Sequence, residues 1–148
     1  MEIERKYLID TIPFNLNNYK CLLIEQGYLS TDPVVRVRRQ NDDFYLTYKS
    51  KGLLAREEYN LPLNAQSYEH LIKKSDGIII RKKRYLIPLT DTLTIELDIF
   101  EGNYEGLMLA EVEFPSLEDA KNFVPPEWFG QDVTFDSKYH NSTMSQGV

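Results

Sequence analysis

Most extended segments of this 148-residue sequence carry ionic side chains on one face and apolar side chains on the other. Residues two apart on a β-strand share a face. In the stretch TLTIELDIF, Glu96 and Asp98 therefore fall on one face, and Ile95 and Leu97 fall on the other. Because the apolar faces must be covered, this pattern predicts an α+β protein in which short helices pack on an antiparallel sheet.

The charges are also sorted by sign from strand to strand, with basic pairs on some segments and acidic pairs on others. The ionic positions are Glu2, Glu4, Lys6, Arg36, Arg38, Lys49, Arg56, Glu58, Lys82, Arg84, Glu96, Asp98, Glu111 and Glu113. Any single strand of this kind fits a face exposed to water. The sorting of all of them favours a sheet that closes with its ionic faces inward, and such a lumen is costly unless a ligand neutralises it.

Period-two alternation and turn residues predict the strands, and capping residues predict the helices. The predicted strands span residues 1–9, 28–31, 34–40, 44–50, 53–63, 78–89, 92–100 and 106–114. The predicted helices span residues 16–26, 65–72 and 116–124, with Asn15, Asn64 and Ser116 at their starts. No linker or repeat interrupts the pattern, so residues 1–148 are expected to form one domain.

The composition excludes several classes of protein. Basic residues number 17 and acidic residues 23, a net charge of −6, which disfavours a nucleic-acid coat and a polybasic membrane anchor. Cys21 is the only cysteine, which excludes an internal disulfide and a multi-thiolate metal site. No apolar stretch approaches the ~18 residues of a membrane span, and the charged N-terminus is unlike a signal peptide. A cytoplasmic protein is predicted.

A lumen that holds both basic and acidic side chains suits a polyphosphate bound together with a divalent metal. Arg and Lys neutralise and orient phosphate oxygens, and the guanidinium group does so with a bidentate fork. Clustered carboxylates bind Mg²⁺ or Mn²⁺, which prefer oxygen ligands. These residue types in this arrangement therefore predict a metal-assisted phosphate site.

Several motifs carry a resemblance to a known family. The opening run Glu2-Ile3-Glu4-Arg5-Lys6 matches a Glu-x-Glu-x-Lys signature, and the remaining ionic pairs follow in matching order as far as about Asn141. On these residues the sequence resembles the CYTH domain, or triphosphate tunnel metalloenzyme, family. The resemblance implies a closed antiparallel eight-stranded β-barrel with short helices packed outside and a triphosphate bound in its lumen.

The resemblance also implies roles for individual residues. The implied metal ligands are Glu2, Glu4, Asp98, Glu111 and Glu113, and the implied substrate-binding residues are Lys6, Arg36, Arg38, Lys49, Arg56, Lys82 and Arg84. Lys6, Glu2 and Glu4 are the implied catalytic residues, and Lys6 would contact phosphate. One departure is Asn60, which stands where many relatives carry a further acid.

The activity that the resemblance implies is hydrolysis of a triphosphate, and the compact chain is most similar to small bacterial members that act on inorganic triphosphate. Alternatives are a class IV-type adenylate cyclase, a thiamine triphosphatase, or a module that binds polyphosphate or nucleotide without turnover. The expected partner is a small-molecule triphosphate, with no nucleic acid and no membrane. The chain is expected to act as a monomer or a homodimer.

Overall fold

A nearly closed antiparallel sheet of nine strands dominates the computed structural model, which describes residues 1–147. The strands are β1 (Glu2–Leu8), β2 (Lys20–Thr31), β3 (Val34–Gln40), β4 (Asp43–Lys49), β5 (Ala55–Arg56), β6 (Glu58–Leu63), β7 (Asp76–Pro88), β8 (Thr94–Phe100) and β9 (Met108–Glu113). Their order in the sheet is β5-β1-β9-β8-β7-β2-β3-β4-β6. This confirms the predicted α+β class and barrel-like closure.

The barrel closes through the segment that contains β5 and β6. The first part of this segment pairs with β1, where Arg56 lies opposite Glu2, and the second part pairs with β4, where Glu58 lies opposite Lys49. Between them, the backbone N–H of Glu57 donates to the Ser50 hydroxyl at 2.8 Å. The predicted continuous strand over 53–63 is therefore broken, which gives nine strands where eight were predicted.

The predicted helix over residues 16–26 is wrong. One turn of 3₁₀ helix spans Leu16–Asn18, and the chain then enters β2. Leu22, Ile24 and Gln26 are buried in alternation, as in a strand. The leucine spacing fits either period locally, but β3 and β7 flank this segment and hydrogen-bond to both of its edges, which decides in favour of the strand.

The other two predicted helices are confirmed at their capping residues. Helix α1 (Ala65–Ile72) begins after Asn64, whose side-chain oxygen accepts from the backbone N–H of Ser67 at 2.7 Å. Helix α2 (Leu117–Asn122) begins after Ser116 and ends slightly before the predicted limit. Near the C-terminus the chain forms a 3₁₀ turn, Ser137–Tyr139, followed by the short helix α3 (Asn141–Met144).

Two apolar clusters lie on opposite faces of the sheet. The outer cluster includes Leu97 and Val112, which are fully buried, and it extends to Ala120 of α2. The inner cluster is formed by Ile80, Phe100, Leu109, Val133 and Met144. Ile80, Phe100 and Leu109 each lie two positions from an ionic residue of the inward face and therefore point to the same side of the sheet. The inner cluster thus fills one end of the lumen.

The C-terminal segment closes that end of the lumen. It runs beside β1, where the backbone N–H of Val133 donates to the Lys6 carbonyl at 2.8 Å, and the Tyr104 hydroxyl donates to the Met144 carbonyl at 2.6 Å. The ionic part of the lumen is left as a cavity, whose lining includes Asn141 and Ser142 of this C-terminal segment. Among residues 1–147, no helix has the length and apolar character needed to cross a membrane.

Candidate functional site

The lumen holds a cavity of about 400 Å³ whose lining is mostly polar. The lining residues include Glu2, Glu4, Lys6, Arg36, Arg38, Lys49, Arg56, Lys82, Arg84, Glu111 and Glu113, together with Thr47, Glu58, Asn60, Glu96 and Asn141. The alternation of side chains along each strand thus predicted their direction correctly, and the sheet has the predicted inward ionic face. Of the predicted site residues, Asp98 alone is absent from this lining.

Neighbouring strands give the cavity an acidic side and a basic side. Strands β1 and β9 are paired so that Glu4 lies directly opposite Glu113 and Lys6 lies opposite Glu111. On the basic side, β3 supplies Arg36 and Arg38, while β7 supplies further cations. A bound molecule would therefore meet carboxylates on one side and cations on the other.

Asp98 lies beneath the basic side as a buried counter-charge. It is fully buried, and its carboxylate accepts from Arg84 at 2.7 and 2.9 Å and lies 2.6 Å from the Lys82 ammonium. Burial by itself would raise the pKa of Asp98, but Arg84 and Lys82 outweigh burial and hold the pKa below its usual value. Both oxygens are thus engaged with cations, so this arrangement suits fixing Lys82 and Arg84 better than binding a metal.

Two cations of the basic side, Arg36 and Arg38, make no ion pair within the described residues. Burial, together with the charges of Arg36 and Arg84, lowers the pKa of Arg38 to about 9. Burial, with Arg84 and Arg38 adding to it, lowers the pKa of Lys82 to about 7 in spite of Asp98. The Nε of Arg36 is buried with no hydrogen-bond partner in the described part of the chain. An unpaired buried donor is expensive, so these groups favour an anionic ligand.

On the acidic side, Glu4 and Glu113 lack cationic partners. Burial, and then the charges of Glu111 and Glu2, raises the pKa of Glu4 to about 8. Burial also raises the pKa of Glu113, with Glu2 contributing. Neither carboxylate makes an ion pair or hydrogen bond within residues 1–147, and like charges directly opposite on paired strands destabilise a sheet. Two such carboxylates side by side favour a cation.

The other two lumen carboxylates of the predicted metal set are paired with protein cations. Glu2 lies 3.1 Å from Lys49 and 3.2 Å from Arg56, and Glu111 lies 3.3 Å from the Lys6 ammonium. Across the described residues, no three Asp, Glu, His or Cys side chains stand in an arrangement ready to hold a metal ion. The carboxylates lie together on one side of the cavity. For Glu2 or Glu111 to bind a metal there, the metal would have to replace the Lys or Arg that each now contacts.

Lys6 sits between the two sides of the cavity. Its ammonium donates to the Tyr139 carbonyl at 3.0 Å and pairs with Glu111. Burial lowers the pKa of Lys6, but Glu111 and Glu4 more than offset burial, so that the pKa is raised overall. Lys6 is therefore a permanent cation near neutral pH and is suited to contacting phosphate rather than to accepting a proton.

Three polar residues in or beside the site, Thr47, Gln26 and Asn141, were not selected from the sequence. Thr47 donates to Asn60 at 2.6 Å and accepts from Arg36 at 3.3 Å. Gln26 accepts from Arg38 at 2.8 Å, and Asn141 accepts from Lys82 at 3.1 Å. Gln26 was missed because its segment was predicted to be a helix. Thr47 could have been selected, because it is a polar residue within a strand whose alternation was predicted.

Comparison with known proteins gives a consistent result. The family model of the CYTH domain matches residues 1–146. An inorganic triphosphatase of Nitrosomonas europaea is 39% identical over 99% of this chain and 98% of its own length. An inorganic triphosphatase of Acetivibrio thermocellus is 37% identical over 97% of this chain and 92% of its own length.

Solved structures agree on the fold. A crystal structure of an inorganic triphosphatase superposes with a TM-score of 0.74 at 36% identity, covering 100% of this chain and 96% of the other. A structure from Hippeastrum, described as an adenylyl cyclase candidate with a dominant triphosphatase activity, has a TM-score of 0.63 at 18% identity over 82% and 83% of the two chains. The second likeness concerns the fold alone.

Proposed function

Because the chain belongs to the CYTH domain family, we propose that it hydrolyses inorganic triphosphate to phosphate and pyrophosphate with a divalent metal ion. The observation that carries this proposal is the division of one cavity into a basic side short of anions and an acidic side short of cations. The unpartnered Nε of Arg36 marks the first side, and the facing carboxylates of Glu4 and Glu113 mark the second. A metal-bound polyphosphate supplies both missing charges.

The basic side is proposed to bind the phosphate groups. Arg36 and Arg38 each offer a guanidinium to the cavity, and Lys82 and Arg84 are held by the buried carboxylate of Asp98. The proposed substrate-binding set is Lys6, Arg36, Arg38, Lys49, Arg56, Lys82 and Arg84. Seven cationic groups converging on a cavity of this size suit a short, highly charged chain of phosphates.

The acidic side is proposed to hold Mg²⁺ or Mn²⁺. Glu4 and Glu113 are the most available ligands because no protein cation engages them, while Glu2 and Glu111 would join after exchanging an ion pair. When bound, the metal supplies charge neutralisation of the phosphate oxygens and lowers the pKa of a coordinated water. Asp98 is proposed to act through Lys82 and Arg84 rather than as a ligand.

Lys6 is proposed to bind the phosphate beside the acidic side and to stabilise charge as the bond breaks. Its raised pKa keeps it protonated, and its bond to the Tyr139 carbonyl fixes the ammonium in place. A fixed cation aimed at developing negative charge is an effective electrostatic catalyst. Glu2 and Glu4 are proposed to contribute to catalysis through the metal.

The lining favours a phosphate chain over a nucleotide. Tyr28 and Tyr45 are the aromatic residues among the lining groups, and the remaining lining is mostly charged or hydrogen-bonding. Cyclisation of ATP requires a nucleoside seated so that its 3′-hydroxyl lies in line with the α-phosphorus, which hydrolysis does not require. We also propose a cytoplasmic location, which the single cysteine suits.

The test is a panel of inorganic triphosphate, thiamine triphosphate and ATP, each with Mg²⁺ and with Mn²⁺, in which products are identified. We expect phosphate and pyrophosphate from inorganic triphosphate, and none in excess chelator. Cyclic AMP from ATP would establish the cyclase alternative instead. Stabilisation by triphosphate against melting without any product would identify a binding module.

A further inference from the structure

The buried amide of Gln26 lies against the basic side of the cavity. The Gln26 side chain on β2 is fully buried, and its carbonyl oxygen accepts from the Nε of Arg38 at 2.8 Å. Its amide nitrogen donates to the side-chain oxygen of Asn141 at 3.2 Å. A fully buried carboxamide satisfied at both ends is held in one orientation.

The same hydrogen-bond chain reaches a second cation. The side-chain oxygen of Asn141 also accepts from the Lys82 ammonium at 3.1 Å. Arg38 and Lys82 are therefore joined by two neutral amides, contributed by β2 and by α3. The link adds no negative charge, so it fixes both cations without neutralising them.

The geometry explains what this link does for Arg38. Gln26 engages the Nε, and within residues 1–147 the two terminal nitrogens of Arg38 make no hydrogen bond. Those terminal nitrogens are the pair that forms a bidentate fork. A carboxylate at the same place would also orient Arg38, but it would compete with the phosphate for the charge.

We propose that Gln26 is a positioning residue that presents the guanidinium fork of Arg38 to the terminal or bridging phosphate oxygens of the substrate. This inference rests on the proposed function, because it assigns a role in binding the same triphosphate. Gln26 acts through Arg38 and does not touch the substrate. Asn141 completes the link and couples the position of Arg38 to that of Lys82.

The test measures triphosphate affinity by calorimetry in chelator, where no turnover occurs, and then kcat and KM with Mg²⁺. The variant Gln26→Met keeps the volume and length of the side chain but removes its hydrogen bonds to Arg38, Asn141 and the Tyr28 hydroxyl. We expect an affinity about fivefold to tenfold weaker and a KM raised by a similar factor, the size expected for one lost hydrogen bond. Gln66→Met, an exposed glutamine of α1, is the matched control and should leave affinity unchanged.

A double-mutant cycle separates positioning from a structural role. In an Arg38→Ala background, Gln26→Met should cause little further loss of affinity, because the group that it positions is gone. Losses that multiply in the double variant, or a Gln26→Met protein that binds triphosphate as tightly as the wild type, would overturn the inference. A wild-type protein that neither binds triphosphate in chelator nor releases phosphate from it with Mg²⁺ would instead refute the proposed function.

Discussion

Replacing Arg38 by alanine separates the role of the lumen face of β3 from that of its outer face. Arg38 is buried against the cavity, whereas Arg39, the next residue, is exposed, where its guanidinium lies 5.8 Å from the Phe44 ring. The two substitutions remove the same atoms from adjacent positions of one strand. Any difference between them therefore reports which face of the strand meets the substrate.

The magnitude follows from the surroundings of Arg38. A charge-assisted hydrogen bond to phosphate is worth about 1.5–3 kcal/mol, so Arg38→Ala should lower kcat/KM about ten- to hundredfold. In the empty protein, the alanine removes one hydrogen bond to Gln26. It also relieves the burial of a charge and the repulsion from Arg36 and Arg84, which together lower the pKa of Arg38. These effects oppose one another, so the free energy of unfolding should fall by no more than about 1 kcal/mol.

The assay is phosphate release from inorganic triphosphate over a range of concentrations with Mg²⁺, accompanied by urea unfolding of each empty variant. Arg39→Ala should keep kcat/KM within about twofold of the wild type, since its contacts are an exposed bond to the Asn41 carbonyl and the Phe44 ring. Equal losses of kcat/KM from Arg38→Ala and Arg39→Ala would show that the inward face of β3 does not bind substrate.

Two further substitutions test the acidic side and the buried counter-charge. Glu4→Gln should abolish most metal-dependent activity, and it should also change the pH dependence of melting in chelator. Because the pKa of Glu4 is raised to about 8, its folded form holds a proton that the unfolded form has lost, so the stability of the wild type relative to Glu4→Gln should decline as pH rises from about 5 to about 8. A wild-type melting temperature that does not fall relative to that of Glu4→Gln over this range, or full activity of Glu4→Gln, would contradict this assignment. Asp98→Asn should cost about 3–5 kcal/mol in urea unfolding at neutral pH, because it leaves Lys82 and Arg84 without their buried counter-charge. The loss should shrink as pH falls below about 4, because Asp98 of the unfolded wild-type chain then takes up a proton that the folded protein, with its lowered pKa, still does not bind. Asp91→Asn in an exposed turn should cost little at any pH.

The sequence alone determined which face of each strand carries the ionic side chains. Alternation is a property of the extended backbone, so Glu111 and Val112 had to face opposite sides wherever their strand was placed. The capping residues Asn64 and Ser116 likewise act within one turn of their own helices. Features that depend on a few neighbouring residues were therefore predictable, including the inward ionic face and the starts of α1 and α2.

Only the tertiary structure decided which charges meet. Asp98 became a counter-charge because β7 pairs with β8 and places Arg84 opposite it, while Glu4 and Glu113 were left without cations because β1 pairs with β9. Residues 20–26 became a strand because β7 pairs with them along one edge and β3 joins the other edge from Ile24 onward. Gln26 meets Asn141 although 115 positions separate them. Such pairings depend on strand order and on the path of the C-terminal segment, because a local pattern fixes the face of a residue but not its neighbours across the sheet.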